Sequence, residues 1–165
     1  MALTTRLFAS AVLVVSVAVL GTVLASQYWG GLFPCELCLL ERWPWWTALA
    51  IAAIFWLVDS KVSLIAAALI LSVVFLVSAG IAFYHVGVEL HWFQGPIACT
   101  ATPGAGATTI DELRRQLLSA QPVMCDQVQW SLFGISLAGW NFLVSLAMAG
   151  FCAMTARGCK LRWAT

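Results

Sequence analysis

The sequence predicts an all-α membrane protein: a four-transmembrane-helix bundle with a long outer loop that contains a short amphipathic helix. Two observations lead to this fold class. Of the 165 residues, 62% are hydrophobic and only 9% are charged, whereas ordinary soluble domains carry about 25% charged residues. The charged residues leave four uncharged runs, at 7–35, 43–58, 62–88 and 127–156. A helix needs about 20 apolar residues to cross a bilayer, with about 17 as the short limit. The second run falls slightly below that limit, so its helix is expected to begin near Cys38.

The distribution of positive charge orients the predicted bundle. Cytoplasmic segments of membrane proteins collect Lys and Arg. One side of the four-helix arrangement holds most of these residues: Arg6, Lys61, Arg157, Lys160 and Arg162. Both termini are therefore expected in the cytoplasm. Four cysteines then face the opposite side, where disulfides persist: Cys35, Cys38, Cys99 and Cys125. The net charge of +1 gives no reason to expect nucleic-acid binding.

The first predicted helix covers residues 7–26. Its apolar run resembles a secretory signal, but it extends for about 20 residues instead of the 7 to 15 of a signal core. Tyr28 and Trp29 follow it as aromatic anchors at the membrane surface. Residues 27–38 are predicted to form a short outer loop, because two glycines and Pro34 are typical of turns.

The second predicted helix covers residues 39–58 and carries three tryptophans near its outer end, as expected for an aromatic belt. Pro44 lacks the N–H that would bond the carbonyl of Leu40, so we expect the first turns to bend. The third predicted helix covers residues 62–86 and returns to the outer side.

Residues 87–131 form the predicted long outer loop. Within it, Thr109 and Glu112 have the spacing of a capping box, which predicts the short amphipathic helix on the membrane surface. The fourth predicted helix covers residues 132–154. The whole chain, residues 1–165, is predicted to be a single membrane domain.

The pattern Cys35-x-x-Cys38 admits three interpretations: a redox dithiol, half of a zinc site, or a structural disulfide. Its position at the start of a helix favours the first. The helix N-terminus would direct partial positive charge toward Cys38, and Arg42 lies one turn further along the same face. We therefore expect a thiolate at Cys38.

Cys99 and Cys125 bracket the outer loop, and a structural staple there would contribute about 3 to 4 kcal/mol on the chain-entropy model. A small four-helix membrane scaffold with purely structural outer disulfides is thus an alternative. However, two exposed cysteine pairs on one membrane face also suggest a relay, in which a thiolate of one pair attacks the disulfide of the other.

A relay needs a terminal electron acceptor. The sequence contains no Gly-x-Gly-x-x-Gly and no Cys-x-x-Cys-His, which are typical of nucleotide and haem sites. A lipid-soluble quinone suits a protein that lies mostly within lipid. Cys38 could donate electron density to it, Arg42 could stabilise negative charge, and His85 could hydrogen-bond a quinone oxygen. Zinc at the cysteine pair with His85 or His91 is a less favoured option, and no metal is expected.

These motifs together resemble the disulfide bond formation protein B (DsbB) family. The resemblance covers nearly the whole chain in order. It depends on Pro-Cys-Glu-Leu-Cys-Leu-Leu-Glu-Arg at 34–42, on His85, on the Cys99 and Cys125 pair, and on Gly-Ile-Ser-Leu-Ala-Gly-Trp-Asn at 134–141.

The resemblance implies a multi-pass protein of the bacterial inner membrane that reoxidises a periplasmic DsbA-type dithiol oxidase and passes electrons to ubiquinone or menaquinone. Cys99 would be attacked by the partner thiolate, which would free Cys125 to attack the first pair. Cys38 would form a charge-transfer adduct with the quinone, with Cys35 as its redox partner. Arg42 and His85 would line the quinone site.

Overall fold

The computed structural model describes residues 5–58, 64–96, 109–111, 114 and 124–163, with side chains described up to residue 158. Its long elements are helical, which confirms the helical class. The described elements are α1 (Thr5–Tyr28), α2 (Glu36–Leu40), α3 (Arg42–Val58), α4 (Leu64–Glu89), β1 (Ser131–Leu132), β2 (Ile135–Ser136) and α5 (Leu137–Trp163).

Three of these helices are long and apolar enough to cross a membrane: Thr5–Tyr28, Leu64–Glu89 and Leu137–Gly158. At most 39% of the residues in their apolar windows are buried within the protein. The other residues of these windows are exposed or half-buried, so the helices keep apolar surface on the outside of the bundle. Helix α3 has 17 residues and spans about 25 Å at 1.5 Å per residue, slightly less than a hydrocarbon core of about 30 Å.

The helices pack as two main pairs around one core. The largest interface lies between α4 and α5, the next lies between α1 and α3, and α3 also contacts α4. The core is filled by aromatic rings and alanines, among them Phe8, Trp45 and Phe75. Trp45 and Phe75 meet with ring centroids 5.2 Å apart. Small residues let these helices approach closely, as is typical of membrane bundles.

The predicted helix 39–58 is two helices in the structure. The short helix α2 ends at Leu40, and Glu41 is its C-cap residue. Helix α3 begins at Arg42, and Pro44 lies in its first turn, where a missing N–H does not break a hydrogen bond. Pro44 therefore starts a new helix instead of bending a continuous one, and the dithiol lies on a separate five-residue helix.

The fourth long helix begins five residues later than the predicted Leu132. Residues 131–136 form an antiparallel hairpin in which Ser131 pairs with Ser136 and Leu132 with Ile135. The two turn residues, Phe133 and Gly134, both have positive φ, as a tight hairpin turn requires. Helix α5 starts after the hairpin, where Ser136 Oγ accepts a hydrogen bond from the N–H of Gly139 at 3.0 Å.

Helix α4 continues to Glu89, three residues beyond the predicted end at residue 86. His91 closes the helix with a φ of 58°, and the N–H groups of Trp92 and Phe93 donate to the carbonyl of Gly87. Of the predicted amphipathic helix in the outer loop, only 109–111 and 114 are described, so the rest of that prediction lies outside the described residues.

Candidate functional site: a dithiol beside a buried histidine

Cys35 and Cys38 lie at the start of α2, on the same end of the helix. Cys35 is the N-cap residue, in extended backbone conformation, and its Sγ accepts a hydrogen bond from the N–H of Cys38 at 3.2 Å. The two Sγ atoms are 2.9 Å apart and both thiols are free. Cys35 is 4% exposed, whereas Cys38 is half-buried. The helix start thus stabilises negative charge on Cys35.

The electrostatics of the pair differ from the expectation that Cys38 holds the thiolate. The hydrogen bond with Cys38, aided by contact with His85, lowers the pKa of Cys35 to about 4, although burial opposes the shift. The shared hydrogen bond with Cys35 and burial both raise the pKa of Cys38. In this dithiol state the hydrogen bond between the two sulfurs therefore favours ionisation of Cys35 over Cys38, and the N–H of Cys38 that bonds Sγ of Cys35 acts in the same direction.

His85 contacts the dithiol from α4. Its Nε2 lies 3.6 Å from Sγ of Cys35, and the side chain is 3% exposed. On the other side of the ring, Nδ1 lies 2.6 Å from Oε1 of Glu41. One imidazole therefore bridges a carboxylate and a thiol, and such an arrangement can move a proton between the two sides of the ring.

Glu41 is held from two sides. Its second oxygen, Oε2, accepts a hydrogen bond from Nδ2 of Asn141 at 2.6 Å. Asn141 in turn accepts at Oδ1 from the indole N–H of Trp45 at 2.8 Å. Glu41 is only 7% exposed, and a buried carboxylate is tolerated when both oxygens are hydrogen-bonded. The network joins α3, α4 and α5 around the residue that separates α2 from α3.

Arg42 is hydrogen-bonded to α1. Its Nη1 donates to Oε1 of Gln27 at 2.8 Å. Its Nε is buried and has no hydrogen-bond partner among the described residues. A buried N–H without a partner is costly, so this atom is a candidate donor to a ligand.

A cavity of about 310 Å³ brings these groups together. Cys35, Cys38, Glu41, Arg42 and His85 all line it. Most of the remaining wall is apolar and comes from α1 and α5, including Val19, Leu20, Val23, Leu137, Ala138 and Val144. A concave, mainly apolar site with a few converging polar groups is typical of small-molecule binding. The cysteines, Arg42 and His85, which the sequence predicts to share one site, thus line one cavity in the structure.

The second predicted cysteine pair is described only in part. Cys125 is buried, is disulfide-bonded, and belongs to the same apolar cluster as Cys35, Leu37 and Val88. Cys99 lies outside the described residues, so its pairing with Cys125 stays a prediction.

Sequence reasoning left the role of Glu41 open. It included Asn141 in the motif at 134–141 without giving it a role, and it did not mention Gln27. Glu89, considered as a partner that could orient His85, instead accepts a hydrogen bond from Ser136, and Glu41 occupies the position beside His85. A signal was available, since a polar residue such as Asn141 inside an apolar helix is costly unless it has a structural or functional partner.

The apolar helices and the cysteine pair beside His85 define a membrane protein whose chemistry centres on thiols. The family described as "Disulfide bond formation protein DsbB" matches residues 5–155, and the chain belongs to this family. It is therefore a membrane disulfide bond formation protein, and membership implies disulfide oxidoreductase activity. The resemblance seen in the sequence is confirmed.

Two relatives are both described as "Disulfide bond formation protein B". The protein of Polaromonas sp. (strain JS666 / ATCC BAA-500) is 26% identical over 148 residues, which cover 84% of this chain and 84% of the relative. The protein of Polaromonas naphthalenivorans (strain CJ2) is 27% identical over 147 residues, which cover 84% and 83%. No solved structure matches this chain significantly.

Proposed function

We propose that this protein reoxidises a DsbA-type thiol oxidase on the periplasmic side of the bacterial inner membrane and passes the electrons to a membrane quinone, ubiquinone or menaquinone. The observation that supports this most directly is the shared cavity. A cysteine pair, a histidine and an arginine converge on a mainly apolar space beside membrane-spanning helices, which is the environment that a lipid-soluble ring requires.

The residues present fit a quinone. A bound quinone would accept two electrons and two protons from the dithiol. Arg42 offers a buried Nε–H that has no partner among the described residues, and such a donor suits a carbonyl oxygen. His85 holds its Nε2 next to Sγ of Cys35, where it can take up the proton that a thiol releases. Apolar side chains of α1 and α5 supply much of the remaining wall, which suits an apolar ring.

The outer cysteine pair would link this site to the partner. A partner thiolate attacks Cys99 and forms a mixed disulfide, which releases Cys125 as a thiol. Cys125 then attacks the Cys35–Cys38 disulfide, so that one S–S bond forms as another breaks. The burial of Cys125 in the same cluster as Cys35 supports this transfer, because it requires little movement of the receiving pair.

The charge on Cys35 supports the direction of electron flow. A DsbA-type oxidase has a potential near −120 mV, so only a more strongly oxidising route can reoxidise it. Stabilising the thiolate of a dithiol makes the corresponding disulfide a stronger oxidant. The lowered pKa of Cys35 therefore helps the Cys35–Cys38 disulfide accept electrons.

We further propose four membrane spans, with α3 as the short one and both termini in the cytoplasm. Helix α3 is uncharged after Arg42, and its 17 residues match the short limit of about 17 for a membrane-spanning helix. Arg6 and Arg157 lie at the same end of this arrangement, as expected for cytoplasmic residues. The dithiol lies at the opposite end.

The experiment is a turnover assay with purified full-length protein and a reduced DsbA-like partner. We expect partner oxidation only when quinone is supplied, and complete loss of turnover in Cys38→Ser. The matched control is Cys152→Ser, since Cys152 is a free cysteine buried in the helical core. A partner that lacks its second cysteine should be trapped covalently through Cys99. Full turnover by Cys38→Ser, or trapping through Cys35, would contradict the proposal and favour structural disulfides.

A further inference from the structure

The dithiol and His85 also have the arrangement of a metal site. Sγ of Cys35, Sγ of Cys38 and an imidazole nitrogen of His85 all lie within 4.8 Å of one another. Around a tetrahedral zinc ion, typical bond lengths place two sulfurs about 3.8 Å apart and a sulfur and a nitrogen about 3.5 Å apart. The observed distance from Cys35 Sγ to His85 Nε2 is 3.6 Å. The sulfurs, at 2.9 Å, would need to separate by only about 1 Å.

The surroundings of His85 prepare it for this role. A metal-binding histidine almost always donates its other ring N–H to a carboxylate or carbonyl, which fixes the ring and leaves the second nitrogen free to bind. Here Nδ1 meets Oε1 of Glu41 at 2.6 Å, so Nε2 is directed at the cysteine sulfurs. Asn141 fixes the other carboxylate oxygen. A Cys₂His set with an outer carboxylate is thus already assembled.

We propose that the reduced Cys35–Cys38 pair and His85 bind one thiophilic divalent cation of the zinc or cadmium type, with the fourth position open to the cavity for water. The cation replaces the proton of each thiol that carries one and the proton that Nε2 of His85 carries when the ring is charged, and these protons pass to water. The two thiolates neutralise the charge of the cation. Three protein ligands and one open position are typical of zinc sites that exchange their fourth ligand. The cation is a competitor for the dithiol and not a resident cofactor.

Binding depends on the redox state of the pair. A disulfide has no thiolate to offer, so the metal-bound and disulfide states exclude each other. If the proposed thiol oxidase function holds, on which this consequence rests, a bound cation keeps the pair reduced and blocks turnover. The site would then make the protein sensitive to excess zinc or cadmium on the side of the membrane where the dithiol lies.

The test uses full-length protein carrying Cys99→Ser and Cys125→Ser, so that the first pair is the only redox pair of the relay. The protein is reduced, freed of quinone and titrated with Co²⁺ without oxygen. We expect thiolate-to-cobalt charge-transfer absorption that saturates at one ion per protein and disappears when Zn²⁺ is added. Cys35→Ser and Cys38→Ser should abolish it, and Cys152→Ser should leave it unchanged.

Glu41→Gln is the most informative variant, because it preserves all three metal ligands and removes only the carboxylate that contacts His85. Loss of the outer carboxylate should weaken cobalt binding about 10- to 100-fold. An experiment on the unmodified protein controls for misfolding of a variant. In the folded protein, Zn²⁺ should slow the alkylation of Cys35 and Cys38, whereas the alkylation of Cys152 should be the same with and without Zn²⁺. The proposed metal site would be overturned by any of three results. These are the absence of cobalt absorption, absorption that persists in Cys38→Ser, and equal alkylation of Cys35 and Cys38 with and without Zn²⁺.

Binding and function are tested separately, since the titration needs neither partner nor quinone. In the turnover assay Zn²⁺ should inhibit the unmodified protein, and a chelator should restore the rate. If the protein shows cobalt absorption but its turnover rate is insensitive to Zn²⁺, the metal site would be supported and the claim that a bound cation blocks turnover would be overturned. A protein that binds cobalt but never oxidises a partner would overturn the proposed function alone.

Discussion

The carboxylate of Glu41 lies 2.6 Å from Nδ1 of His85, although the two residues are 44 positions apart and belong to different helices. The contact fixes the ring so that Nε2 faces Cys35. Both residues are buried, so water does not weaken the interaction. A charge-assisted hydrogen bond of this kind contributes roughly 1.5 to 3 kcal/mol, which makes Glu41 a positioning residue for the dithiol.

Glu41→Gln should therefore reduce the rate of partner oxidation by about 10- to 100-fold, which corresponds to the roughly 1.5 to 3 kcal/mol of such a hydrogen bond. The amide still fills the space but no longer provides a charged acceptor for Nδ1. Stopped-flow kinetics with excess quinone would measure the rate. Glu36→Gln is the matched control, because Glu36 is an exposed carboxylate on the same short helix. Equal effects of the two substitutions would show that Glu41 has no special role.

Asn141→Leu should lower the stability of the helical bundle and the rate together. It leaves the indole N–H of Trp45 and one oxygen of Glu41 without their partners, and each buried unsatisfied group costs about 1 to 3 kcal/mol. Detergent unfolding followed by tryptophan fluorescence would measure the stability. Thr155→Val serves as the comparison, because the hydrogen bond of Thr155 goes to the carbonyl of Phe151 in its own helix and not to the network around Glu41. Unchanged stability in Asn141→Leu would count against the network.

Arg42→Ala should raise the KM for quinone about tenfold while kcat changes less. The reason is that the buried Nε has no partner among the described residues and is free to bind a ligand oxygen, and a hydrogen bond to a charged group is worth about 1.5 kcal/mol or more. Initial rates over a range of quinone concentrations would separate KM from kcat. Arg157→Ala is the control, since Arg157 is exposed near the far end of α5. A selective loss of kcat would point to a role in thiol chemistry instead.

The reduced protein should lose its thiolate only near pH 4. The pKa of Cys35 falls from its ordinary value of 9.0 to about 4. Because this pKa is lowered by folding, the ionised thiol stabilises the reduced fold fully above pH 9, and this contribution is lost as the pH falls toward 4. Ultraviolet thiolate absorbance, measured as reduced minus oxidised protein, would follow the titration. Cys35→Ser should remove the transition and Cys152→Ser should keep it; a transition near pH 9 in the unmodified protein would contradict the assignment to Cys35.

The sequence allowed the helical class, the approximate limits of the long helices and the grouping of Cys35, Cys38, Arg42 and His85 to be predicted. These features depend on uncharged runs and on short motifs, which are local properties of a chain. The predicted helix limits were wrong where residues with a strong turn preference lie within an apolar run. The sequence predicts residues 132–136 as the start of the fourth helix, but the tight Phe133–Gly134 turn makes residues 131–136 a hairpin.

The thiolate position and the network around Glu41 could not be predicted in the same way. The N-cap residue depends on where α2 begins, and helix boundaries are the least certain part of a sequence-based prediction. The contact from Asn141 to Glu41 joins residues 100 positions apart, and no periodicity in one sequence encodes it. Helix packing, not local pattern, decides which carboxylate meets His85.

The joint at Glu41 has a mechanical consequence. Glu41 is the C-cap of the short helix whose start holds both sulfurs. Its side chain is also hydrogen-bonded to the imidazole of His85 on a neighbouring helix. A tilt of the short helix during thiol exchange would therefore also move the imidazole. The positions of the two sulfurs and of the proton acceptor are thus coupled.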